Sequence, residues 1–240
     1  MSLSVRVRHA LRGFDLDVDF EAPPGVTVLF GPSGAGKSRT LACIAGLVRP
    51  DAGRITVGDD VWFDSTSGQE RPIHRRRVAF VFQSLALFPH MTAEENVAYG
   101  IGGLERAERR ERAREMLARM RVAHLAERKP RTFSGGEAQR VALARAFAMT
   151  PRVLLLDEPF SALDAGVKRE LLDEVREHVT KANVPAILVT HDTGEARTLG
   201  ERVLFIEKGR IARTSSIDEA GLSVPRVRAA EPVSSARENP

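Results

Sequence analysis

The 240-residue sequence has one cysteine, one tryptophan, one tyrosine and no long apolar run. A single thiol, Cys43, cannot form a disulfide within the chain, which fits a reducing compartment such as the cytosol. Without a run of about 18 apolar residues, no segment is expected to cross a membrane. The first residues alternate in polarity and lack the apolar segment of a secretion signal. These absences predict a globular protein in which Cys43 packs inside a helix.

Basic residues outnumber acidic ones by 36 to 32, which gives a net charge of +4 and a pI of about 9.7. That balance is compatible with a nucleic acid or an anionic membrane as partner. The densest charged segment, residues 105–121, however, mixes Glu and Arg at helical spacing. Such mixing is typical of a solvated helix with ion pairs along its face. We therefore expect no nucleic-acid partner.

The predicted elements run from antiparallel strands to an α/β core, a helical segment and the same core resumed. Residues 3–7 predict a first strand, and residues 14–22 alternate strictly, as in a half-buried antiparallel strand. Helices are expected from residue 84 to 149, and Thr92 with Glu95 predicts a capping box. Short apolar runs predict strands buried on both faces, as in a parallel sheet between helices: residues 26–30, 77–83, 152–159 and 185–192.

Four further local predictions concern turns and ends. The helix after residue 37 is expected to include Val48, and Gly58–Asp60 to form a turn between the strands of a hairpin. Residues 202–213 predict a final hairpin around Lys208–Gly209. From Ser215 onward, Pro, Ser and mixed charges predict a loosely ordered tail.

The stretch GPSGAGKS, Gly31 to Ser38, matches the phosphate-loop pattern between a predicted strand and a predicted helix. Its glycines let backbone N–H groups point at phosphate oxygens, and the helix dipole adds positive potential. Lys37 is expected to reach the β- and γ-phosphates and the Ser38 hydroxyl to join a Mg²⁺ shell. The residues expected to bind ATP here are Gly31, Pro32, Ser33, Gly34, Ala35, Gly36, Lys37, Ser38 and Arg39.

Polar side chains end three other predicted strands. Asp157 and Glu158 end one of them, at the edge where open α/β sheets bind their ligands. Asp157 is expected to hold Mg²⁺ directly or through water, and Glu158 to polarise the attacking water as general base. His191 ends a second strand and is predicted to point towards the γ-phosphate. Gln83 ends a third and is expected to contact the metal or the water.

A second helix start suited to an anion lies about 100 residues after the first. In FSGGEAQR, Phe133 to Arg140, a serine and two glycines precede a helical run. One short chain thus carries two such starts.

The ordered set GPSGAGKS, Gln83, FSGGEAQ, LLLDE, SALD (Ser161 to Asp164) and His191 resembles the nucleotide-binding subunits of ABC transporters, over residues 3–212. The resemblance implies an ATPase of the α/β class. Its fold would be that of a P-loop NTPase, with a RecA-like core, an antiparallel β-subdomain and an inserted helical subdomain. Residues 1–214 would form the ATPase domain, with the helical subdomain at 84–150 between 1–83 and 151–214. Residues 215–240 would form a short tail without a regulatory domain.

The same resemblance implies a head-to-tail homodimer. ATP and Mg²⁺ bound by the phosphate loop of one subunit would be closed over by the signature segment of the other. The signature residues implied to bind nucleotide are Ser134, Gly135, Gly136 and Glu137, together with Asp164. Glu137 and Phe133 depart from the family's commonest Gln and Leu, and activity is expected to survive both changes. Phe14 and His9 are candidates for stacking on adenine.

Two segments are similar to importers in particular. Residues 82–100 resemble ATPases of uptake systems that depend on a substrate-binding protein, and residues 61–83 resemble the molybdate or tungstate branch. Sulfate, iron(III), polyamine and sugar importers share much of both segments. The implied partners are transmembrane permease subunits and, indirectly, a periplasmic or extracellular binding protein. The implied location is peripheral, on the cytoplasmic face of the cell (inner) membrane.

The patch around Leu85, Leu87, Phe88 and Pro89 is a candidate for docking the permease, with core packing as the alternative. Two other functions are considered for the chain. A soluble ABC ATPase acting on DNA or ribosomes would bind nucleic acid in a salt-dependent way. A P-loop kinase would release ADP only with an acceptor present.

Overall fold

The computed structural model describes residues 1–11 and 13–221. The strands are β1 (Leu3–Ala10), β2 (Asp15–Ala22), β3 (Gly25–Phe30), β4 (Ala52–Val57), β5 (Asp60–Asp64), β6 (Gln69–Glu70), β7 (Val78–Val81), β8 (Val153–Asp157), β9 (Pro185–Thr190), β10 (Arg202–Glu207) and β11 (Arg210–Ser216). The α-helices are α1 (Lys37–Ala45), α2 (Ile73–Arg76), α3 (Ala93–Tyr99), α4 (Arg106–Arg119), α5 (Gly135–Ala148), α6 (Ala165–Ala182) and α7 (Thr193–Leu199). Short 3-10 helices occupy Ala123–Leu125 and Pro130–Thr132.

All of these strands join one mixed sheet in the order β6-β5-β4-β1-β2-β11-β10-β3-β9-β8-β7. From β10 to β7 every neighbouring pair is parallel, whereas β1, β2, β4, β5 and β6 pair antiparallel with one another. Between these two parts, β11 pairs antiparallel with β10 and parallel with β2. The carboxyl ends of β3, β7, β8 and β9 therefore lie along one edge. The predicted α/β fold of a P-loop NTPase is confirmed.

The parallel strands are buried on both faces because helices cover each side. Along β8, Val153 and Leu155 pack in a cluster with α1 and the antiparallel strands. Leu154 and Leu156 pack in a second cluster with α3 to α7. This explains why these strands read as continuous apolar runs. Cys43 is buried in α1, as expected.

Arg76 ties the end of α1 to the antiparallel strands. Its guanidinium is almost fully buried and donates to Cys43 O, Ile44 O and Trp62 O at 2.9–3.3 Å. A cation is favourable there because the last carbonyls of a helix carry partial negative charge. Gly46 follows in a left-handed conformation, where a Cβ would lie 2.6 Å from the guanidinium carbon. The helix therefore ends before Val48, which the periodicity wrongly included.

Several other predicted boundaries differ from the structure. β5 begins at Asp60, inside the predicted turn, and β7 ends at Val81, two residues before Gln83. β9 ends at Thr190, so His191 is the first residue beyond it. The capping box of Thr92 and Glu95 is confirmed.

The predicted loose tail is wrong for its first residues. β11 continues to Ser216, and Ile217 N donates to Glu201 O at 3.2 Å. Ala220 is buried, and its carbonyl accepts from Arg213. Apolar contacts and backbone pairing thus extend the ordered chain past Ser215. The remainder of the predicted tail, residues 222–240, lies outside the described residues.

The ion pairs of α4 also differ from the prediction. Glu94 of α3 is buried and receives both Arg110 and Arg114, and Arg119 pairs with Glu174 of α6. In the described part of the chain, no ion pair joins two residues of α4. The helix therefore uses its charges to attach to its neighbours. None of the helices in that part combines the length and apolar character needed to cross a bilayer.

Candidate nucleotide site

The phosphate loop connects β3 to α1, as predicted. Gly34 and Gly36 adopt positive φ values of 79° and 103°, which only glycine takes without strain. Gly31 lies so close to β10 that an added Cβ would meet Ile206 O at 2.2 Å. The glycines are therefore required by the backbone path. Within residues 1–11 and 13–221, no side chain caps the start of α1, and its first turn holds no acidic residue.

Lys37 is buried at the start of α1, and its ammonium donates to Gly31 O and Pro32 O, both at 2.8 Å. Burial lowers the pKa of Lys37, and the Glu158 and Asp157 carboxylates partly offset that effect. These contacts hold the ammonium directly over the loop. Of the other predicted loop residues, Pro32, Ser33 and Arg39 are exposed and Ala35 is buried.

Ser38 and Asp157 are brought together from distant parts of the sequence. The Ser38 hydroxyl donates to Asp157 Oδ1 at 3.1 Å. Burial raises the pKa of Asp157, the Ser38 hydrogen bond opposes the rise, and the neighbouring Glu158 adds to it. A hydroxyl and a buried carboxylate beside a phosphate loop are oxygen donors of the kind that Mg²⁺ prefers.

Glu158 lies between the two other predicted catalytic side chains. Its Oε1 is 3.3 Å from His191 Nδ1, and its Oε2 is 3.4 Å from Gln83 Nε2. Glu158 has a left-handed φ of 47°, and its N–H donates to Val189 O at 3.0 Å. From there the side chain reaches the residues that follow β7 and β9. Gln83, although outside its strand, therefore still reaches the site.

The second helix start begins α5 as predicted, with Ser134 as N-cap. Ser134 Oγ accepts from Glu137 N at 3.2 Å, and Glu137 Oε2 accepts from Ser134 N at 2.7 Å. His124 Nε2 lies 3.1 Å from the other Glu137 oxygen. Among the described residues, no polar contact of Ser134 or Glu137 reaches the loop from Gly31 to Arg39. The capping groups of α5 are therefore paired with one another and with His124.

Gln139 was not predicted as a site residue, yet it links α5 to the segment after Glu158. Its buried amide donates to Glu158 O at 3.3 Å and accepts from Ala162 N at 3.0 Å. The same segment packs on the signature glycines, since a Cβ at Gly135 would lie 3.5 Å from Ala162 Cβ. Asp164, at the end of that segment, is the N-cap of α6. The signal that could have identified Gln139 is a polar residue on the buried side of α5.

A cleft of about 580 Å³ adjoins the phosphate loop and includes both adenine candidates. His9 and Phe14 line it together with Gly36, Lys37 and Arg39. The Phe14 ring would lie 3.7 Å from a Cβ at Gly36. The sequence therefore named two residues that the fold places beside the loop.

The sheet, the phosphate loop and the carboxylates at its edge define a P-loop ATPase. The family model of ABC transporters matches residues 16–161, and the chain belongs to that family as an ATP-binding domain. A curated relative, the molybdate/tungstate import ATP-binding protein WtpC of Archaeoglobus fulgidus, is 46% identical over 91% of this chain and 89% of its own. The molybdenum import ATP-binding protein ModC of Pseudomonas aeruginosa is 39% identical over 90% of this chain. The chain spans only 60% of that second relative.

Solved structures agree with this assignment. The dimeric ABC transporter cassette MJ0796 has a TM-score of 0.79 and 29% identity, with 90% of this chain and 99% of that one covered. A post-hydrolysis dimer of the same cassette, bound to ADP and Pi, has a TM-score of 0.78. The predicted family, fold and ATPase class are thereby confirmed.

Proposed function

We propose that this chain hydrolyses ATP to drive a membrane importer for an oxyanion such as molybdate or tungstate. The observation that carries the catalytic part is Glu158, held between Gln83 and His191 beside Lys37. The choice of an oxyanion as the substrate rests on the relatives, which are named for molybdate, tungstate or molybdenum import. A relative named for probable sulfate/thiosulfate import is 42% identical, so sulfate is the second candidate.

ATP would bind with its phosphates at the open start of α1. Backbone N–H groups from Gly31 to Ser38 would surround the phosphate oxygens, and Lys37 would leave its two carbonyls to reach them. Phe14 or His9 would lie against adenine. The Ser38 hydroxyl, Asp157 and Gln83 would hold Mg²⁺, which neutralises phosphate charge when bound.

Glu158 would accept a proton from the water that attacks the γ-phosphorus. His191 would be placed to donate to a γ-phosphate oxygen, and Gln83 to orient the water. Attack forms the new P–O bond while the bond to ADP breaks, so the products are ADP and phosphate. Most of the rate would come from positioning and charge, since no covalent intermediate is needed.

The working unit would be a head-to-tail homodimer. Among the residues that the structure describes, Ser134 to Glu137 make no polar contact with the phosphate loop of their own chain, and a second copy would bring them to it. The dimeric relative MJ0796 supports association of such cassettes. Asp164 would join the nucleotide site through the same interface.

A groove of about 400 Å³ between the parallel sheet and α3 is the proposed permease surface. Its exposed apolar side chains are Leu47, Ile73 and Tyr99, and the Phe88 ring lies tilted against Tyr99 with the ring centroids 4.6 Å apart. Such a concentration of exposed apolar residues is typical of a docking site. We propose that a permease segment fills it, which places the subunit at the cytoplasmic face of the membrane.

The sequence-based docking patch overlaps this groove only in part. Leu85 and Leu87 pack against the core, whereas Phe88 belongs to that patch and also lines the groove. Leu85 and Ala86 have positive φ values of 61° and 46°, and Arg145 of α5 donates to both carbonyls at 2.8 Å. These hydrogen bonds connect the groove to α5, the helix whose N-cap is Ser134. This arrangement supports a path from permease to signature.

We also retain the division into an ATPase domain of residues 1–214 with a helical subdomain at 84–150. The α-helices α3 to α5, which contact one another, all fall within that subdomain.

Glu158→Gln tests the proposal. The amide cannot accept the proton, so hydrolysis should fall at least about 100-fold while ATP binding persists. Size-exclusion chromatography with light scattering should then detect an ATP-dependent dimer. The double variant Glu158→Gln/Ser134→Arg is the control and should stay monomeric.

Three results would contradict the proposal. A Glu158→Gln protein that remains monomeric with saturating ATP would remove the shared site. Hydrolysis stimulated by nucleic acid would favour the soluble ABC ATPase. ADP release that requires a metabolite acceptor would favour a kinase.

A further inference from the structure

Lys168, on the first turn of α6, contacts the residues that follow His191. Its ammonium lies 2.6 Å from Asp192 Oδ2 and 2.5 Å from Glu195 Oε1. Asp192 is the N-cap of α7, where its other oxygen accepts from Gly194 N and Glu195 N. The Lys168 ammonium therefore holds both the loop after β9 and the start of α7.

The network also includes the residue before His191. Thr190 is buried and its hydroxyl donates to Glu195 Oε2, while Asp192 N donates to the same hydroxyl at 3.0 Å. His191, whose side chain is 70% exposed, is therefore held at both neighbouring residues and free only at its side chain. This leaves the imidazole directed at Glu158.

The charges in this network depend on one another. The Glu195 side chain is only 5% exposed, and a buried carboxylate is costly without a paired cation. Burial lowers the pKa of Lys168, but its hydrogen bonds to Asp192 and Glu195 outweigh that effect and leave the pKa raised. By contrast, Lys181, near the far end of α6, makes an exposed pair with Glu177. Such surface pairs contribute little.

We propose that Lys168 is a positioning residue that holds His191 against Glu158, an inference that rests on the proposed ATPase function. It also connects this pair to the signature region. Lys168 N donates to Asp164 O, and the segment ending at Asp164 packs on Gly135. A shift of that segment on dimer closure would therefore move α6 and, through Lys168, the His191 loop.

The test compares full-length Lys168→Met, Lys168→Arg and the double variant Lys168→Met/Glu195→Gln with the wild type. Lys181→Met is the matched control on the same helix. For each protein, kcat and KM for ATP, the affinity for a fluorescent ATP analogue and Tm are measured. Lys168→Met should lower kcat about 10-fold or more, because small displacements of catalytic groups have large effects on rate. KM should change less than about twofold, since His191 acts after ATP is bound.

Lys168→Arg keeps a cation within reach of both carboxylates and should recover most of kcat. The double variant removes the unpaired buried carboxylate, so its Tm should return towards the wild-type value while kcat stays low. A kcat in Lys168→Met equal to that of Lys181→Met would overturn the inference. Recovery of kcat together with Tm in the double variant would also overturn it, because the effect would then be stability alone. Wild-type protein without hydrolysis would instead overturn the proposed function itself.

Discussion

The two helix starts of this chain differ in how they satisfy their own backbone. At α1, Gly36 is the N-cap, no side chain of the described part of the chain caps the first N–H groups, and Lys37 brings a cation. At α5, the Ser134 hydroxyl and the Glu137 carboxylate form a closed capping box. Both starts contain serine and glycine, yet within the described residues α1 has no side-chain acceptor on its first N–H groups, whereas α5 has one on Glu137 N and leaves those of Gly135 and Gly136 without one.

This difference indicates two distinct tasks. An open helix start with a lysine can bind a phosphate on its own. A start whose positive end already faces the carboxylate of Glu137 attracts an anion weakly, so it needs a phosphate fixed elsewhere. We infer that α1 provides primary binding and that α5 completes the site only after nucleotide is held by a partner.

The strongest way to break the comparison is to remove the cation of α1. Lys37→Ala should lower the affinity for ATP about 100-fold or more and abolish measurable hydrolysis, because the loop then lacks the ammonium that meets the phosphate charge. Binding of a fluorescent ATP analogue and phosphate release measure the two effects. Lys181→Ala, an exposed lysine of α6, should change neither. Unaltered binding by Lys37→Ala would mean that α1 is not the primary site.

The second change acts on α5 alone. Ser134→Arg places a long guanidinium at the surface that should face the partner's nucleotide, so hydrolysis should fall at least about 100-fold. ATP binding to the isolated subunit should stay within about twofold of wild type. Binding assays at low protein concentration, below dimer formation, measure this separately from phosphate release.

Ser134→Ala is the control for that experiment, because it removes the cap without adding bulk. Loss of an N-cap costs about 1 kcal/mol, so its hydrolysis should fall far less than that of Ser134→Arg. If Ser134→Arg weakened binding and hydrolysis together, the proposed separation of tasks would fail.

The smallest expected effect sharpens the comparison at the capping box. Two hydrogen bonds lower the pKa of Glu137 from 4.5 to about 2. The larger effect comes from the backbone N–H of Ser134, and the next from the side chain of His124. The lowered pKa contributes stability above pH 4.5 that is lost as the pH falls towards 2. Glu137→Gln keeps a polar cap but lacks this titration, so its Tm should decline less over that range. The Tm of both proteins against pH, at low and high salt, measures the difference; parallel curves would argue against a charged cap.

The sequence predicted the parts of the site that depend on local pattern. A phosphate loop, a capping box and an apolar strand ending in acids are each contained within a few residues, because their geometry follows from neighbouring backbone. Thus Lys37, Asp157 and the start of α5 lie where expected. The resemblance supplied a prediction that a single chain cannot test, namely that α5 serves another copy.

Contacts between distant residues were not predictable in this way. Lys168 and Glu195 are 27 positions apart in sequence, and nothing in either segment indicates the other. Gln83 was placed at a strand end, yet β7 stops earlier and the fold still brings its amide to Glu158. Residues 215–221 are held in place by contacts with β10 and with the loop between α7 and β10. Such contacts exist only once the sheet has assembled.

The buried Cys43 has a practical consequence. Burial raises the pKa of its thiol to about 11, so almost none of it is the reactive thiolate at neutral pH. In the native protein this side chain should not react with maleimides or other thiol reagents. A single cysteine introduced at a surface position can then be labelled selectively without first removing Cys43. Fluorescent pairs or cross-linkers placed beside Ser134 and Ser33 could therefore follow closure of two subunits in the otherwise unaltered sequence.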